Sequence, residues 1–176
     1  MEFGKLSKSL NWQRLNGQKL GCSLPEAVEK ILIKESEAGN QIKVCIGTDS
    51  QVKGQFVEFV TVIVFLRKGK GGFMFKHRNI YECKIQTARR MLMEVYDSID
   101  VGYGLEELWE RYEVDMEIHA DINKQPKFQS NVAFKEAMGY VLGMGFVFVA
   151  KPEAYASSSC ADKVVKGGKW PKKKVA

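Results

Sequence analysis

The sequence predicts an α/β domain in which helices flank one mixed β-sheet, and three observations carry that expectation. Five blocks, at 42–49, 56–67, 73–83, 114–121 and 146–150, have strand length, strand alternation or a strand-like content of β-branched and aromatic residues. Blocks with apolar residues three and four apart precede, separate and follow them, which is helical spacing. The chain has 176 residues, 45% of them hydrophobic, enough for one domain to bury a core without disulfide or metal staples.

Each element has a local reason. Residues 1–22 lack clear periodicity and read as a basic N-terminal arm. Ser23 starts a helix: it is an N-cap, Pro25 lies in the first turn, and Glu26 completes an S-x-x-E capping box. Leu24, Ala27, Val28, Ile31 and Leu32 follow at helical spacing, and Gly39 with Asn40 supplies a stop. Residues 42–49 alternate, with Ile42, Val44 and Ile46 on one face and Lys43, Cys45, Gly47 and Asp49 on the other. Gly54 can take positive φ in a turn between this strand and the next, 56–67. The Gly-rich run at 68–72 turns the chain into 73–83 as an antiparallel hairpin. Ala88, Met91, Leu92, Val95, Tyr96 and Ile99 form one helical stripe, which Gly102 and Gly104 interrupt. Leu105, Leu108, Trp109 and Tyr112 suggest a short second helix. Residues 114–121 alternate again, 131–144 are helical in pattern, and 146–150 form a short buried strand. Ser157, Ser158 and Ser159 read as a cap opening a last helix through Val164 and Val165. The later strands, reached by helical crossovers, lie parallel to a neighbour. The domain spans 23–165, and 166–176 is a basic C-terminal tail.

The formal net charge is +6, and its distribution matters more than its sum. Six lysines and no acid lie between Lys163 and the end, and residues 1–22 carry four basic residues against Glu2. The middle, 23–162, holds 17 basic and 20 acidic residues, a net of −3. A mildly acidic body with basic ends fits either polyanion contacts, nucleic acid above all, or solubilising tails. No stretch approaches the roughly 20 apolar residues of a membrane span, and the first residues lack the apolar centre of a secretory signal. No membrane partner is expected. Cys22, Cys45, Cys83 and Cys160 show no C-x-x-C spacing, so reduced thiols and, by default, a cytoplasmic location are expected. No phosphate-cradling G-x-x-x-x-G-K-[ST] loop and no Ser–His–Asp arrangement is present.

Two acids stand out by position. Asp49 ends the first strand block and Asp121 the fourth, each after an apolar strand core. If these strands are parallel neighbours, both carboxylates face one crevice at the C-terminal edge of the sheet, where open α/β sheets place ligands. Two carboxylates so close need a proton or a cation between them. Oxygen ligands favour Mg²⁺ or Mn²⁺, which support phosphodiester hydrolysis. The plain alternative is that both acids satisfy turns.

The runs IGTDSQ at 46–51, EIHADIN at 117–123 and KPEAYASSSCADK at 151–163 resemble the YkuK family of ribonuclease H-like proteins. The resemblance covers residues 23–165. It implies a five-stranded sheet of order 3-2-1-4-5, which sets the strands of Asp49 and Asp121 side by side. Active members of that superfamily use an aspartate on the first strand, a glutamate on the following helix, an aspartate ending the fourth strand and often an acid on the last helix. The resemblance carries Asp49 and Asp121 onto the first and third roles. Glu94 is the candidate glutamate, although it lies off the helical stripe and could be a surface acid, with Glu82 as substitute. Asp162 fits the last-helix acid, a position the helix dipole also favours for any acid.

His119 alternates onto the face of Asp121 and could move a proton there or be a packed neighbour. Lys151, Tyr155, Ser157 and Ser158 follow the last strand and could contact substrate phosphates or form a turn and cap. His77 suggests an exposed basic strand rather than a ligand. The resulting expectation is a Mg²⁺- or Mn²⁺-dependent nuclease acting on RNA, DNA or a hybrid. Its catalytic set would be Asp49, Glu94, Asp121, Asp162 and His119, and its metal ligands the four acids. The alternatives are a non-catalytic nucleic-acid-binding or interaction module and a hydrolase of small phosphate esters.

Overall fold

The computed structural model describes residues 8–167 except 10, 126, 128–130 and 132. The lysines at 5, 169 and 172–174, with Glu2, therefore lie outside the described residues. In chain order the elements are β1 (Gln13–Arg14), α1 (Leu24–Glu37), β2 (Ile42–Lys53), β3 (Phe56–Arg67), β4 (Gly71–Glu82), α2 (Thr87–Tyr103), α3 (Glu106–Arg111), β5 (Asp115–Asn123), α4 (Phe134–Gly143), β6 (Val147–Lys151), a π-helical segment (Ala156–Ala161) and α5 (Asp162–Lys166).

One mixed sheet of order β1-β4-β3-β2-β5-β6 organises them. β2, β3 and β4 form an antiparallel meander, and β5 and β6 add in parallel beside β2. Gly54 and Gly69 take left-handed φ values of 64° and 73° in the two tight turns. The five-stranded expectation of order 3-2-1-4-5 is corrected at one edge. Gln13 and Arg14, from the segment read as an arm, pair with Lys76 and Phe75 of β4. Trp12 holds them there: it is fully buried and its ring packs 5.3 Å from His77. A single apolar anchor without periodic neighbours leaves no strand pattern in the sequence.

Strand parity divides the interior in two. Val44, Ile46, Ile63, Phe65, Phe75 and Ile118 face α1, α2, α3 and α4, where Leu24, Val28, Leu32, Val95, Ile99, Trp109 and Val141 complete the larger core. Cys45, Val60, Val62 and Val64 face the opposite way, against Ala156, Ala161 and Val165. The capping box of α1 is formed, with Ser23 Oγ accepting from Glu26 N–H and Glu26 accepting from Ser23 N–H.

Four local expectations change. β2 runs on to Lys53 and β5 to Asn123, so Asp49 and Asp121 lie inside their strands rather than at the last residue. α2 passes through Gly102, where a Cβ would lie 3.3 Å from Ile118 Cδ1, so this glycine lets the helix approach β5 instead of ending it. The serines at 157–159 are no N-cap. They sit within the π-helical segment, and Ser157 and Ser158 donate back to the Ala154 carbonyl. The helical pattern read from 131 begins at Phe134, and residue 132 lies outside the described residues.

Candidate functional site

Register places the first two carboxylates. Thr48 pairs with Ala120 across the parallel β2–β5 ladder. The next residue on each strand is an aspartate, Asp49 and Asp121, and both project to the face covered by the π-helical segment. Adjacent strands lie about 4.8 Å apart, so the two carboxyl groups emerge beside one another. Asp49 is 9% exposed. Burial pushes its carboxyl up to about 7, with the Asp121 charge and then Asp162 adding to the rise against a backbone hydrogen bond from Ser50.

Glu94 reaches the same region from α2. Thr48 Oγ1 hydrogen-bonds Ser98 Oγ at 2.9 Å, and Ser98 Oγ donates to the Glu94 carbonyl, which ties this turn of α2 to β2. Glu94 Oε1 accepts from Ser50 Oγ at 2.5 Å and from Arg90 Nη1 at 3.0 Å, while Arg90 also donates to the Ser50 carbonyl. Burial raises the Glu94 carboxyl to about 8, opposed by the Ser50 hydrogen bond and reinforced by the Asp49 charge. Asp162, the first residue of α5, completes the group from the opposite face. Asp49, Glu94 and Asp121 thus act on one another electrostatically, and Asp162 acts on Asp49.

Cations partner three of these acids. Lys151 Nζ lies 2.5 Å from Asp121 Oδ1, Lys166 Nζ lies 2.7 Å from Asp162 Oδ1, and Arg90 holds Glu94. Beside Lys151 is a cavity of about 480 Å³ lined by Asn123, Gln125, Lys127, Lys151, Pro152 and Ser158. A larger groove, about 880 Å³, opens near Lys43, Arg67 and Asp115 at the other end of β2, and none of the sequence-predicted site residues lines it.

The remaining candidates turn inward. His119 is 1% exposed; its Nδ1 accepts from Ala156 N–H at 3.2 Å. That bond fixes the neutral tautomer with the proton on Nε2, which donates to Glu117 Oε2 at 3.1 Å. Tyr155 stacks edge-on against His119 and its hydroxyl meets Cys45 Sγ at 2.7 Å. Ser157 is fully buried. His77 is buried too, against the exposed position read from the sequence, because Trp12 covers it and Ser9 Oγ hydrogen-bonds its Nε2. Glu82 stands exposed at the end of β4.

A family model described as ribonuclease H-like matches residues 26–166. The chain belongs to the ribonuclease H-like family. No curated protein and no solved structure matches it.

Among the described residues of this ribonuclease H-like chain, one group of three side chains brings its donor atoms close enough to hold a metal ion. Cys45, Glu117 and His119 each offer an atom within 4.8 Å of the others. Their donors are already engaged: burial keeps the Cys45 thiol protonated up to about 11, and both imidazole nitrogens carry hydrogen bonds. Glu117 sits in a partly buried position that alone would raise its carboxyl, but Lys43 at 2.6 Å and His119 hold it below the ordinary value. Asp49, Glu94, Asp121 and Asp162 interact electrostatically, but no three of them bring carboxylate oxygens within that 4.8 Å of one another. Their all-oxygen donors suit Mg²⁺ or Mn²⁺, and burial above all, with neighbouring acids adding to it, raises the Asp49 and Glu94 carboxyls.

Three contributors escaped the sequence reading. Arg90 and Lys166 stand four residues from Glu94 and Asp162, a helical spacing that signals a pair once the acid is singled out. Ser50 follows Asp49 directly, but its link to Glu94 joins residues 44 apart and leaves no local signal.

Proposed function

We infer that this ribonuclease H-like chain is a divalent-metal-dependent nuclease that hydrolyses nucleic-acid phosphodiester bonds. The electrostatic coupling of Asp49 with Asp121 and Asp162, and of Glu94 with Asp49 and Asp121, supports the reading. These four would hold Mg²⁺ or Mn²⁺, which when bound would supply charge neutralisation at the phosphodiester and a more acidic water. Ser50 and Arg90 fix one oxygen of Glu94 and so orient the other. Lys151 and Ser158 line the small cavity; Lys151 would contact substrate phosphate once a metal takes over Asp121, and Ser158 would do so by giving up its hydrogen bond to the Ala154 carbonyl. His119, Tyr155 and Ser157 serve the site by seating the segment that leads to Asp162, since their polar atoms already have partners. The IGTDSQ, EIHADIN and KPEAYASSSCADK runs support a place in the YkuK group, with a nucleic-acid partner and a cytoplasmic location. Among the described residues no helix is long and apolar enough to cross a membrane.

A second reading, a non-catalytic nucleic-acid-binding module, draws on the Lys151–Asp121 and Lys166–Asp162 pairs, which partly neutralise the acids without a metal. One panel separates the two. RNA, DNA, an RNA–DNA hybrid and phosphate monoesters are incubated with Mn²⁺, with Mg²⁺ and with chelator. The nuclease reading expects metal-dependent cleavage of at least one polynucleotide, lost in Asp49→Asn and Asp121→Asn. Polynucleotide binding without cleavage in any metal supports the module and refutes the nuclease.

A further inference from the structure

Ala161 and Val165 are buried in the cluster that includes Val60 and Val62, and they seat the last helix on the sheet. Asp162 and Lys166 each follow one of these anchors in sequence, four residues apart, so they share the neighbouring face of the helix. Lys166 Nζ lies 2.7 Å from Asp162 Oδ1 and 2.8 Å from Oδ2, and so covers both oxygens of that carboxylate. The hydrogen bond and charge of Asp162 raise the Lys166 pKa, and the charges of Asp49 and Asp121 add to the rise. One ammonium group therefore senses three of the four acids.

Among the described residues three cations pair with these acids, and they are not held alike. Arg90 donates both to Glu94 and to the Ser50 carbonyl, and only 19% of its side chain is exposed. Lys151 meets Asp121 with 39% of its side chain exposed. Lys166 is 66% exposed on its side chain. An ion pair so exposed is weak, because water screens it and a long side chain must be held in one rotamer. Lys166 is thus the cation that leaves at least cost. When all are ionised, four carboxylates against three cations leave one negative charge over. A divalent ion added to them turns the excess positive, so one cation is no longer needed.

We propose that Lys166 is an exchangeable counter-cation: it neutralises Asp162 in the metal-free chain, and uptake of a divalent ion by the acids releases it to a substrate phosphate. The proposal rests on the nuclease reading for the ion and for the phosphate. What it adds is a coupling of the two ligands through one side chain. Metal uptake takes the partner from Lys166, and a phosphate at Lys166 takes a competitor from the metal, so each ligand strengthens the other by the same factor. Without the ion the acids repel a phosphate and Lys166 stays on Asp162. A fixed basic patch behaves differently, since it attracts a polyanion with or without metal.

Lys166→Gln removes the exchanging charge, and Lys163→Gln, which removes the other lysine of α5, controls for charge alone. Thermal melting checks that both fold. Without nucleic acid, Lys166→Gln is expected to bind Mn²⁺ about two- to fivefold more tightly than wild type, the scale of an exposed ion pair. Strand binding is measured with fluorescent phosphorothioate 20-nucleotide RNA and DNA, which keep the backbone charge and resist hydrolysis, in Mn²⁺ and in chelator over a range of salt. In Mn²⁺, Lys166→Gln is expected to bind about three- to tenfold more weakly, with a log–log salt slope smaller by about one, as for one lost phosphate contact. In chelator it is expected to match wild type, and Lys163→Gln is expected to show no such dependence on metal. Unchanged Mn²⁺ affinity, an equal strand-binding loss in Mn²⁺ and in chelator, no loss in either, or the same pattern in Lys163→Gln overturns the exchange alone. The expected pattern without metal-dependent cleavage of unmodified RNA, DNA or hybrid sinks the nuclease reading and leaves the exchange standing. A wild type that fails to bind either Mn²⁺ or the strands overturns both.

Discussion

A Cβ on Gly47 would lie 2.5 Å from the backbone nitrogen of Ser157. Gly47 lies on the same β2 face as Asp49, two residues before it, so the missing side chain is what lets the π-helical segment settle directly on the sheet. The carbonyl carbon of Ala156, 2.8 Å from the same position, closes off any sideways escape. Asp162 follows this segment without a break, so the close contact sets how near the last acid comes to the first.

Gly47→Ala is therefore expected to displace the segment. Overpacking against backbone costs about 1–3 kcal/mol, which for a chain of this size lowers Tm by several degrees. Its Mn²⁺ affinity is expected to fall further than that of an equally destabilising change in the helical core, such as Val28→Ala. Calorimetric titration of the two variants side by side checks this; equal affinities would mean the close contact serves the fold alone.

The metal-free chain should lose stability as pH rises. Asp49 and Glu94 are lifted to about 7 and about 8 from ordinary values of 3.8 and 4.5. Between about pH 4 and pH 8 the native state keeps protons that the unfolded chain gives up, so unfolding free energy falls across that window. Asp49→Asn removes one of these groups. Its metal-free unfolding free energy is expected to exceed that of wild type at pH 8 by on the order of 1–3 kcal/mol, with a correspondingly higher Tm, and to come close to it near pH 4.5. Thermal melts in chelator at the two pH values measure the difference. A variant less stable than wild type at pH 8 would show that the native carboxylate is stabilised rather than strained.

His119 gives a kinetic prediction. Its two nitrogens are spoken for by Ala156 and Glu117, and burial lowers its pKa despite the Glu117 hydrogen bond. His119→Gln should lower stability and metal affinity through the Ala156 segment while leaving the midpoints of the pH–rate profile where they were. Disappearance of one limb of that profile in the variant would make His119 the proton carrier instead.

How much of this could be read from the sequence differs residue by residue. That IGTD and HAD each place an acid after an apolar strand core was legible, and so was a parallel strand reached by a helical crossover, but that these two strands are neighbours came from the strand order the family resemblance implies. Glu94 was half legible. Its angle off the helical stripe is real, yet it is buried, because this part of α2 is pinned to β2 through Ser98 and Thr48 rather than through the apolar core. The π-helical segment was not legible: three serines before an acid carry the chemistry of an N-cap, and its close packing on Gly47 joins residues about 110 positions apart. Trp12 and the ion pair that Glu58 of β3 makes with Arg78 of β4 escaped for a shared reason. Each is a single residue whose partner lies in another strand, and periodicity records neighbours along one element only.

The central claim is that Asp49 and Asp121 share a divalent cation. Calorimetric titration of Mn²⁺ into the chelator-treated wild type, Asp49→Asn, Asp121→Asn and Cys45→Ser at pH 8 tests it most directly. Wild type and Cys45→Ser should bind with similar affinity, and each aspartate variant, still folded, should bind at least tenfold more weakly. Folded aspartate variants that bind as wild type does, with the affinity lost in Cys45→Ser, would move the metal to the Cys45, Glu117 and His119 group and contradict the account.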